Sequence, residues 1–283
     1  MQVVSSPQLI SEILVLAQKN GNSIGLVPTM GALHEGHLSL IRKSKEQNSI
    51  TVVSIFVNRF QFNDLEDFNN YPRPFEQDQE LLSKEGVDIV FSPSEDEMYP
   101  ETPLVGVNFG IMAETMEGKF RSGHFEGVGL VVTKLLNHIR PDKTYFGMKD
   151  LQQFLLVSRL VKDFSFSTEI VGLPIKREEN GLAMSSRNER LSSHGKDLAS
   201  GIFRGLKLAL GKISNGSSIR ETKLEVLAFY KETKELEVEY LEFVNTNDLS
   251  AYPEDSVPKK LAICVAIYVE GIRLIDNIYL RQD

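Results

Sequence analysis

Apolar residues fall into two periodicities that alternate through the first half of the chain. Short β-rich runs appear at IGLV (24–27), SITVVSIFVN (49–58), VDIVFS (87–92), KTYF (143–146) and STEIVGLPI (167–175). Between them lie stretches with helical spacing: HLSLIRKSKEQN, with Leu38, Leu40 and Ile41 inward, then PFEQDQELLSKEG, GVGLVVTKLLNHI and LQQFLLVSRLVKDF. A period near two marks a strand and one near 3.6 marks a helix. SITVVSIFVN is almost continuously apolar and β-branched, which suits a parallel strand covered on both faces. The alternation predicts an α/β fold, a Rossmann-like parallel sheet with helices on both faces.

After about Pro174 the pattern changes. Helical stretches at 192–213 and 218–233 precede three alternating runs, LEVEYLEFV, LAICVAIYV and IRLIDNIYL. Glu270-Gly271 separates the last two and reads as a tight hairpin turn. The expected organisation is a Rossmann-like domain over 1–175 and a smaller α+β domain over 176–283 with an antiparallel sheet, placed as a lid. Residues 94–103, rich in Pro, Glu and Asp, read as a surface loop, and no internal repeat is visible.

Composition narrows the function. The 283 residues carry 31 Lys plus Arg against 39 Asp plus Glu, a formal charge of −8. That balance disfavours a broad nucleic-acid or anionic-membrane surface, which needs clustered cations. A small anionic substrate held in a local basic pocket stays compatible. Cys264 is the single cysteine, so neither an intramolecular disulfide nor a site of several zinc thiolates is available; inside LAICVAIYV it reads as a small buried hydrophobe. The start, MQVVSSPQLI, lacks the basic and apolar regions of a leader, and no apolar run approaches the ~20 residues of a membrane span. The expected location is cytoplasmic.

Five stretches carry candidate chemistry. PTMGALHEGH (28–37) follows a strand and opens a helix, where unpaired N–H groups and the positive end of the dipole attract anions. Its glycines, Gly31 and Gly36, permit close approach of backbone to ligand, and His34 and His37 offer hydrogen bonds to phosphate. A structural turn and a metal site are the alternatives; the metal needs a third ligand, and HEGH lacks HExxH spacing. GLAMSSRNERLS (181–192) sets Ser185, Ser186 and Arg187 beside a glycine before a helix, as phosphate donors or as capping groups; Ser192 reads as an N-cap. YFGMKDLQQF (145–154) ends a strand at the carboxyl edge of the sheet, where open α/β folds bind ligands. There Lys149 suits a phosphate, Asp150 a ribose hydroxyl, and Gln153 follows one helical turn on; an exposed Lys-Asp pair at a helix start is the plainer reading. SIFVNRFQF brings Asn58 and Gln61 to the same edge, and RSGHFEGV leads Arg121 and His124 into a helix. His138 and His194 read as helix-surface residues. Neither GxGxxG nor GxxxxGK[ST] is present, so a nucleotide would be held by another device.

Taken together, in their order along the chain, the stretches resemble the pantothenate synthetase (pantoate–β-alanine ligase) family of the HIGH-motif nucleotidyltransferases. PTMGALHEGH resembles its HIGH motif and GLAMSSRN its counterpart of the KMSKS loop. VSIFVN with a following QF, RSGHFEGV and FGxKDxQQ complete the set. The resemblance implies condensation of pantoate with β-alanine driven by ATP, through a pantoyl adenylate, releasing pyrophosphate and then AMP. ATP contacts carry over to Met30, Gly31, Ala32, Leu33, His34, Glu35, Gly36 and His37, to Gly147, Met148, Lys149 and Asp150, to Lys176, and to Met184, Ser185, Ser186 and Arg187. His37, His34 and Lys149 take the catalytic positions, and Gln61 and Gln153 hold pantoate, with Gln61 also near β-alanine. Mg²⁺ and a homodimer are implied as well. Two departures stand out: the family's NPMQF is Asn58-Arg59-Phe60-Gln61-Phe62 here, setting an arginine beside the expected pantoate pocket, and FGEKD is FGMKD. The rivals are another nucleotidyltransferase and a catalytically silent nucleotide-binding module; a tRNA-binding synthetase is disfavoured by the acidic charge.

Overall fold

The computed structural model describes residues 1–233 and 235–280. In chain order the elements are β1 (Gln2–Val4), α1 (Pro7–Lys19), β2 (Ile24–Thr29), α2 (Glu35–Gln47), β3 (Ile50–Ile55), α3 (Leu65–Asn69), α4 (Phe75–Lys84), β4 (Ile89–Phe91), α5 (Glu95–Met98), α6 (Met116–Phe120), α7 (His124–Ile139), β5 (Lys143–Gly147), α8 (Leu151–Asp163), β6 (Glu169–Leu173), α9 (Ser193–Ser214), α10 (Ile219–Glu232), β7 (Glu237–Val244), β8 (Leu261–Val269) and β9 (Ile272–Leu280). The chain divides into two compact units, one of Met1–Met148 with Leu156–Pro174, the other of Lys149–Leu155 with the chain from Ile175 onward. The segment Lys149–Leu155 groups with the second unit, where the Asn277 side-chain amide donates to the Lys149 carbonyl at 2.8 Å.

The first unit is built on a six-stranded parallel sheet in the order β1-β4-β3-β2-β5-β6. Leu26, Val27, Val52 and Val53 are each 0% exposed, so successive residues of the two central strands are buried on opposite faces. On one face Val27, Val53, Val90 and Tyr145 pack against Leu38 and Ile41 of α2 and Leu82 of α4. The chain runs outward from β2 to β3 and β4, then returns to place β5 on the other side of β2. That reversal is a topological switch point, where doubly wound sheets open a crevice at the carboxyl ends of the strands. PTMGALHEGH leaves β2 and FGMKD leaves β5 at that reversal.

The second unit holds the antiparallel sheet β7-β8-β9, against which α9 and α10 pack through Ile202, Leu206, Val226 and Tyr230. Every residue of β8 except Tyr268 is buried, including Cys264. Glu270 and Gly271 take φ of 51° and 73°, the left-handed pair of a two-residue hairpin, with Val269 opposite Ile272.

One segment lies outside the sequence reading and another differs from it. Residues 2–19 form an edge strand and a helix, with the Ser6 hydroxyl accepting from Leu9 N–H and Pro7 in the first turn. Residues 94–103 are not simply a surface loop, because a capping box at Ser94 starts α5 and buries Met98 and Tyr99. Among the described residues no helix is long and apolar enough to cross a membrane.

Candidate active site

In the first unit the site is built on the turn between β2 and α2. Gly31 has φ of 80° and Ala32 φ of 51°, so the backbone twists through the left-handed region as it leaves the sheet. Asp78, buried on α4, holds it there, one carboxylate oxygen accepting from Ala32 N–H at 2.9 Å and the other from Leu33 N–H at 2.8 Å. Burial pushes the Asp78 carboxyl above the ordinary range, while the bonds from Leu33 and Ala32 pull it back in part.

His34 is the N-cap of α2. Its Nδ1 accepts from Gly36 N–H at 3.1 Å, and Nδ1 of His37 accepts from His34 N–H at 3.3 Å, a capping box made of two imidazoles. A ring nitrogen that accepts carries no hydrogen, so in the neutral form each ring bears its hydrogen on Nε2. The rings lie 4.1 Å apart. Two N–H donors are thereby fixed beside the start of a 13-residue helix, an arrangement suited to phosphate oxygens. Among the described residues no three His, Cys, Asp or Glu side chains gather to hold a metal.

The turn at Arg59–Gln61 lies against α7. Asn58 is fully buried, and its Nδ2 donates to the Gly127 carbonyl at 2.9 Å and to Gln61 Oε1 at 3.3 Å. Gln61 Nε2 in turn contacts the Met30 thioether at 2.7 Å, joining this turn to the histidine turn. His124, only 6% exposed, donates from Nδ1 to the Gln61 carbonyl at 2.8 Å, which makes its Nε2 the acceptor for Arg121 at 3.1 Å. Gly127 is obligatory for this packing, since a Cβ there would stand 2.1 Å from the Phe60 carbonyl oxygen. Arg59 does not enter the site. Its side chain is 54% exposed and faces Glu95 at 3.9 Å, while Phe60 packs edge-on against Tyr99.

In the second unit Lys149, Ser185 and Arg187 line one shallow recess together with Asp276 and Asn188. Lys176 and Met184 lie opposite each other in a small hairpin, where Met184 N–H donates to the Lys176 carbonyl at 2.9 Å and Arg177 bridges Ala183. The hairpin is anchored by a forked pair from Arg177 to Asp276, at 2.7 and 2.9 Å, with the guanidinium 3.6 Å over the Phe203 ring. Asp276 is nearly fully buried, and burial raises its carboxyl even against the Arg177 charge. Buried Asn188 ties the next turn to Glu178 and to the Ala183 carbonyl. Ser185 Oγ accepts from Arg187 N–H at 3.3 Å and so caps that turn, whereas Ser192 caps α9.

The remaining candidates are distributed along the same elements. Gly147 ends β5 and Met148 is buried, its N–H donating to the Leu173 carbonyl. Asp150 and Glu35 are exposed, and Gln153 is half-buried in the first turn of α8. His194 is exposed, whereas His138 is half-buried and desolvation lowers its affinity for a proton. Sequence reading missed Asp78, Tyr99, Arg177 and Asp276. Asp78 reads as one more solvated acid in PFEQDQELL, and its partners lie 45 and 46 positions away.

A doubly wound sheet with an imidazole-bearing helix start at its switch point defines an α/β protein equipped for an anionic, phosphate-bearing ligand. The chain belongs to the pantoate-beta-alanine ligase family, whose sequence model matches residues 2–279. It is 48% identical over 285 residues to the pantothenate synthetase of Caldicellulosiruptor bescii, covering 99% of each chain. It is 44% identical to that of Cytophaga hutchinsonii over 278 residues, covering 98% of each. The crystal structure of pantothenate synthetase from Thermus thermophilus superposes with a TM-score of 0.92 at 38% identity, covering 100% of both chains. The Francisella tularensis ligase, crystallised with beta-gamma ATP and beta-alanine, gives 0.82 at 35% identity and covers 100% of this chain and 99% of its own.

Proposed function

We propose that this chain condenses pantoate with β-alanine at the expense of ATP, giving pantothenate by way of a pantoyl adenylate. The observation that carries the reading is the histidine turn clamped by Asp78 at the end of β2, in a chain whose family match runs from residue 2 to 279. The family resemblance supports the substrates.

A carboxylate does not acylate an amine at neutral pH, because oxide is too poor a leaving group. In the first step a pantoate carboxylate oxygen attacks the α-phosphorus of ATP. The bond from that phosphorus to the bridging oxygen breaks, and pyrophosphate departs. In the second step the uncharged β-alanine amine attacks the acyl carbon, AMP leaves with the anhydride oxygen, and the amine gives up its proton. The protein supplies position and charge stabilisation rather than a covalent nucleophile. His34 and His37 donate from Nε2 to phosphate oxygens, and Lys149 offsets the charge that develops as pyrophosphate leaves. Met30 to His37, Gly147 to Asp150, Lys176 and Met184 to Arg187 contact ATP. Gln61 and Gln153 hold pantoate by amide hydrogen bonds, which orient its carboxylate without pairing its charge away as a buried arginine would.

Mg²⁺ enters with ATP, held chiefly by phosphate oxygens, as this ion commonly is. Assembly as a homodimer, closure of the second unit as a lid and residence in the cytoplasm complete the proposal. Family resemblance supports the dimer, and sedimentation of the purified chain tests it.

The decisive experiment measures pyrophosphate release with ATP and pantoate alone, then AMP formation when β-alanine is added. Release that depends on pantoate, followed by amine-dependent AMP, is the expected result. Release without pantoate, or none with it, overturns the reading.

A further inference from the structure

We propose that Tyr99 is a positioning residue for the acid-binding carboxamide of Gln61, acting through Asn58; the inference rests on the reading that Gln61 holds pantoate. An amide side chain can present either its oxygen or its nitrogen to a ligand, and only its partners decide which. The decision starts at the Gly127 carbonyl, a group that can only accept. It takes a hydrogen from Asn58 Nδ2 at 2.9 Å, so the Asn58 oxygen lies on the other side. There the Tyr99 hydroxyl donates to Asn58 Oδ1 at 3.0 Å. The second hydrogen of Asn58 Nδ2 faces Gln61 Oε1 at 3.3 Å, which leaves Gln61 with its NH₂ on the far side. That NH₂ meets the Met30 thioether at 2.7 Å. Sulfur of this kind is a weak acceptor, readily exchanged for a carboxylate oxygen. The relay therefore turns Gln61 so that it offers donors to an acid rather than a repelling carbonyl.

Tyr99 is well held for this task. Its ring stands edge-on to Phe60, with centroids 4.9 Å apart, and near Phe56 at 6.0 Å, while the Lys134 ammonium lies 5.3 Å from its centre. Tyr99 is only 7% exposed, and burial and the Glu95 charge push its hydroxyl well above the ordinary phenol range, so it stays a donor. Asn58 itself is 0% exposed, so no water replaces a missing Tyr99 hydroxyl without rearrangement. Phe60, where the family usually has methionine, is the residue that braces the tyrosine in this chain.

The test is a double-mutant cycle on the full chain with Tyr99→Phe and Gln61→Ala, reading KM for pantoate and for ATP separately. Tyr99→Phe keeps the ring in place and is expected to raise the pantoate KM about tenfold with the ATP KM within about twofold. In the Gln61→Ala background the same change should add less than about twofold, because the group it positions is gone. An unchanged pantoate KM in Tyr99→Phe, or a full tenfold effect that persists without Gln61, overturns the positioning role while leaving Gln61 as the acid contact. An unchanged pantoate KM in Gln61→Ala overturns the acid-binding reading and this inference with it. A second measurement does not depend on turnover: ¹⁵N spectra should show a distinct, slowly exchanging Gln61 carboxamide pair in the parent, merged or lost in Tyr99→Phe. A Gln61 pair identical in both proteins overturns the relay.

Discussion

Asp78 and Leu33 are joined across the first unit by a 2.8 Å bond from the Leu33 backbone N–H to a buried carboxylate whose other oxygen takes Ala32 N–H at 2.9 Å. A carboxylate offers acceptors on both sides, whereas an amide offers one acceptor and one donor. Asp78→Asn therefore sets an N–H against an N–H and releases one side of the turn that carries His34 and His37. Misplacing reacting groups by about 1 Å commonly costs on the order of 10²-fold in rate. The expected result is adenylation slowed ~10–10²-fold and a raised ATP KM, with the pantoate KM nearly constant. Pyrophosphate release under single-turnover conditions measures it, and a parent-like rate would show that the turn needs only one of the two bonds.

The same carboxyl gives a signed pH dependence. Burial sets its folded pKa above the ordinary 3.8, against the opposing bonds from Leu33 and Ala32. Between the unfolded and folded values the folded chain binds more protons than the unfolded chain, so stability falls as pH rises through that window. Asp78→Asn does not titrate. The melting temperature of the parent relative to this variant should fall as pH rises from about 4, then level off above the folded pKa. Paired melts across that range check it; a constant difference would mean the carboxyl titrates alike in both states.

His37 serves as cap and as donor, and the two roles separate by substitution. Glutamine at the third helical position supports a capping box through its amide oxygen, while alanine removes the cap at a cost of ~1 kcal/mol. His37→Gln should keep the melting temperature close to the parent's, and His37→Ala should lower it by a few degrees. Both should slow adenylation ~10²–10³-fold, the usual loss on removing one donor from developing charge. If the glutamine variant recovers the rate, His37 acts only as a cap.

Legibility in the sequence follows the range of the interactions concerned. β8 was readable because LAICVAIYV is buried along nearly its whole length, and the Glu270-Gly271 turn because a two-residue left-handed hairpin has a local signature. Edge strand β1 was not, since three residues with only Val4 buried give no period. The helix start at His34 was visible as strand, glycine and polar turn, yet the capping box that fixes the ring nitrogens depends on side-chain rotation. Asp78, Tyr99 and Asp276 were hidden for one reason: each reaches a partner 41 to 99 positions away. Lone residues with such partners look like ordinary surface chemistry.

Gln61 also allows a charge test. Gln61→Glu nearly preserves shape but brings a carboxylate towards the pantoate carboxylate and faces Asn58 Nδ2 with an acceptor as before. The buried setting, 7% exposed, weakens screening of the repulsion. The pantoate KM should rise at least ~10-fold with the ATP KM little changed. The melting temperature should fall, because the new carboxylate is buried without a compensating cation. Steady-state kinetics with pantoate varied at saturating ATP settles this, and an unaltered pantoate KM would remove Gln61 from the acid site.

Arg177 anchors the hairpin of Lys176 and Met184 to β9, and its removal should expose how that anchor works. Asp276 is 4% exposed in its side chain and Arg177 17%, so water screens the pair little. Breaking a buried pair by removing one partner typically costs ~3–5 kcal/mol, because the other charge is left without compensation. Arg177→Met should therefore lose stability of that order near neutral pH. Without the guanidinium the Asp276 carboxyl titrates still further above its ordinary range, since the largest lowering influence on it is gone. Protonation then relieves the buried charge, so the stability gap between variant and parent should narrow as pH falls from about 7.5 towards 5. Replacing both partners, Arg177→Met with Asp276→Leu, should restore most of the stability. It should not restore turnover, because the Arg177 bonds to the Gly181 and Asn277 carbonyls, which hold the strand leading to Ser185, are absent. Denaturant melts at three pH values with pantoate-dependent pyrophosphate release on the same samples separate the two effects, and full activity in the double variant would make the pair a stability feature alone.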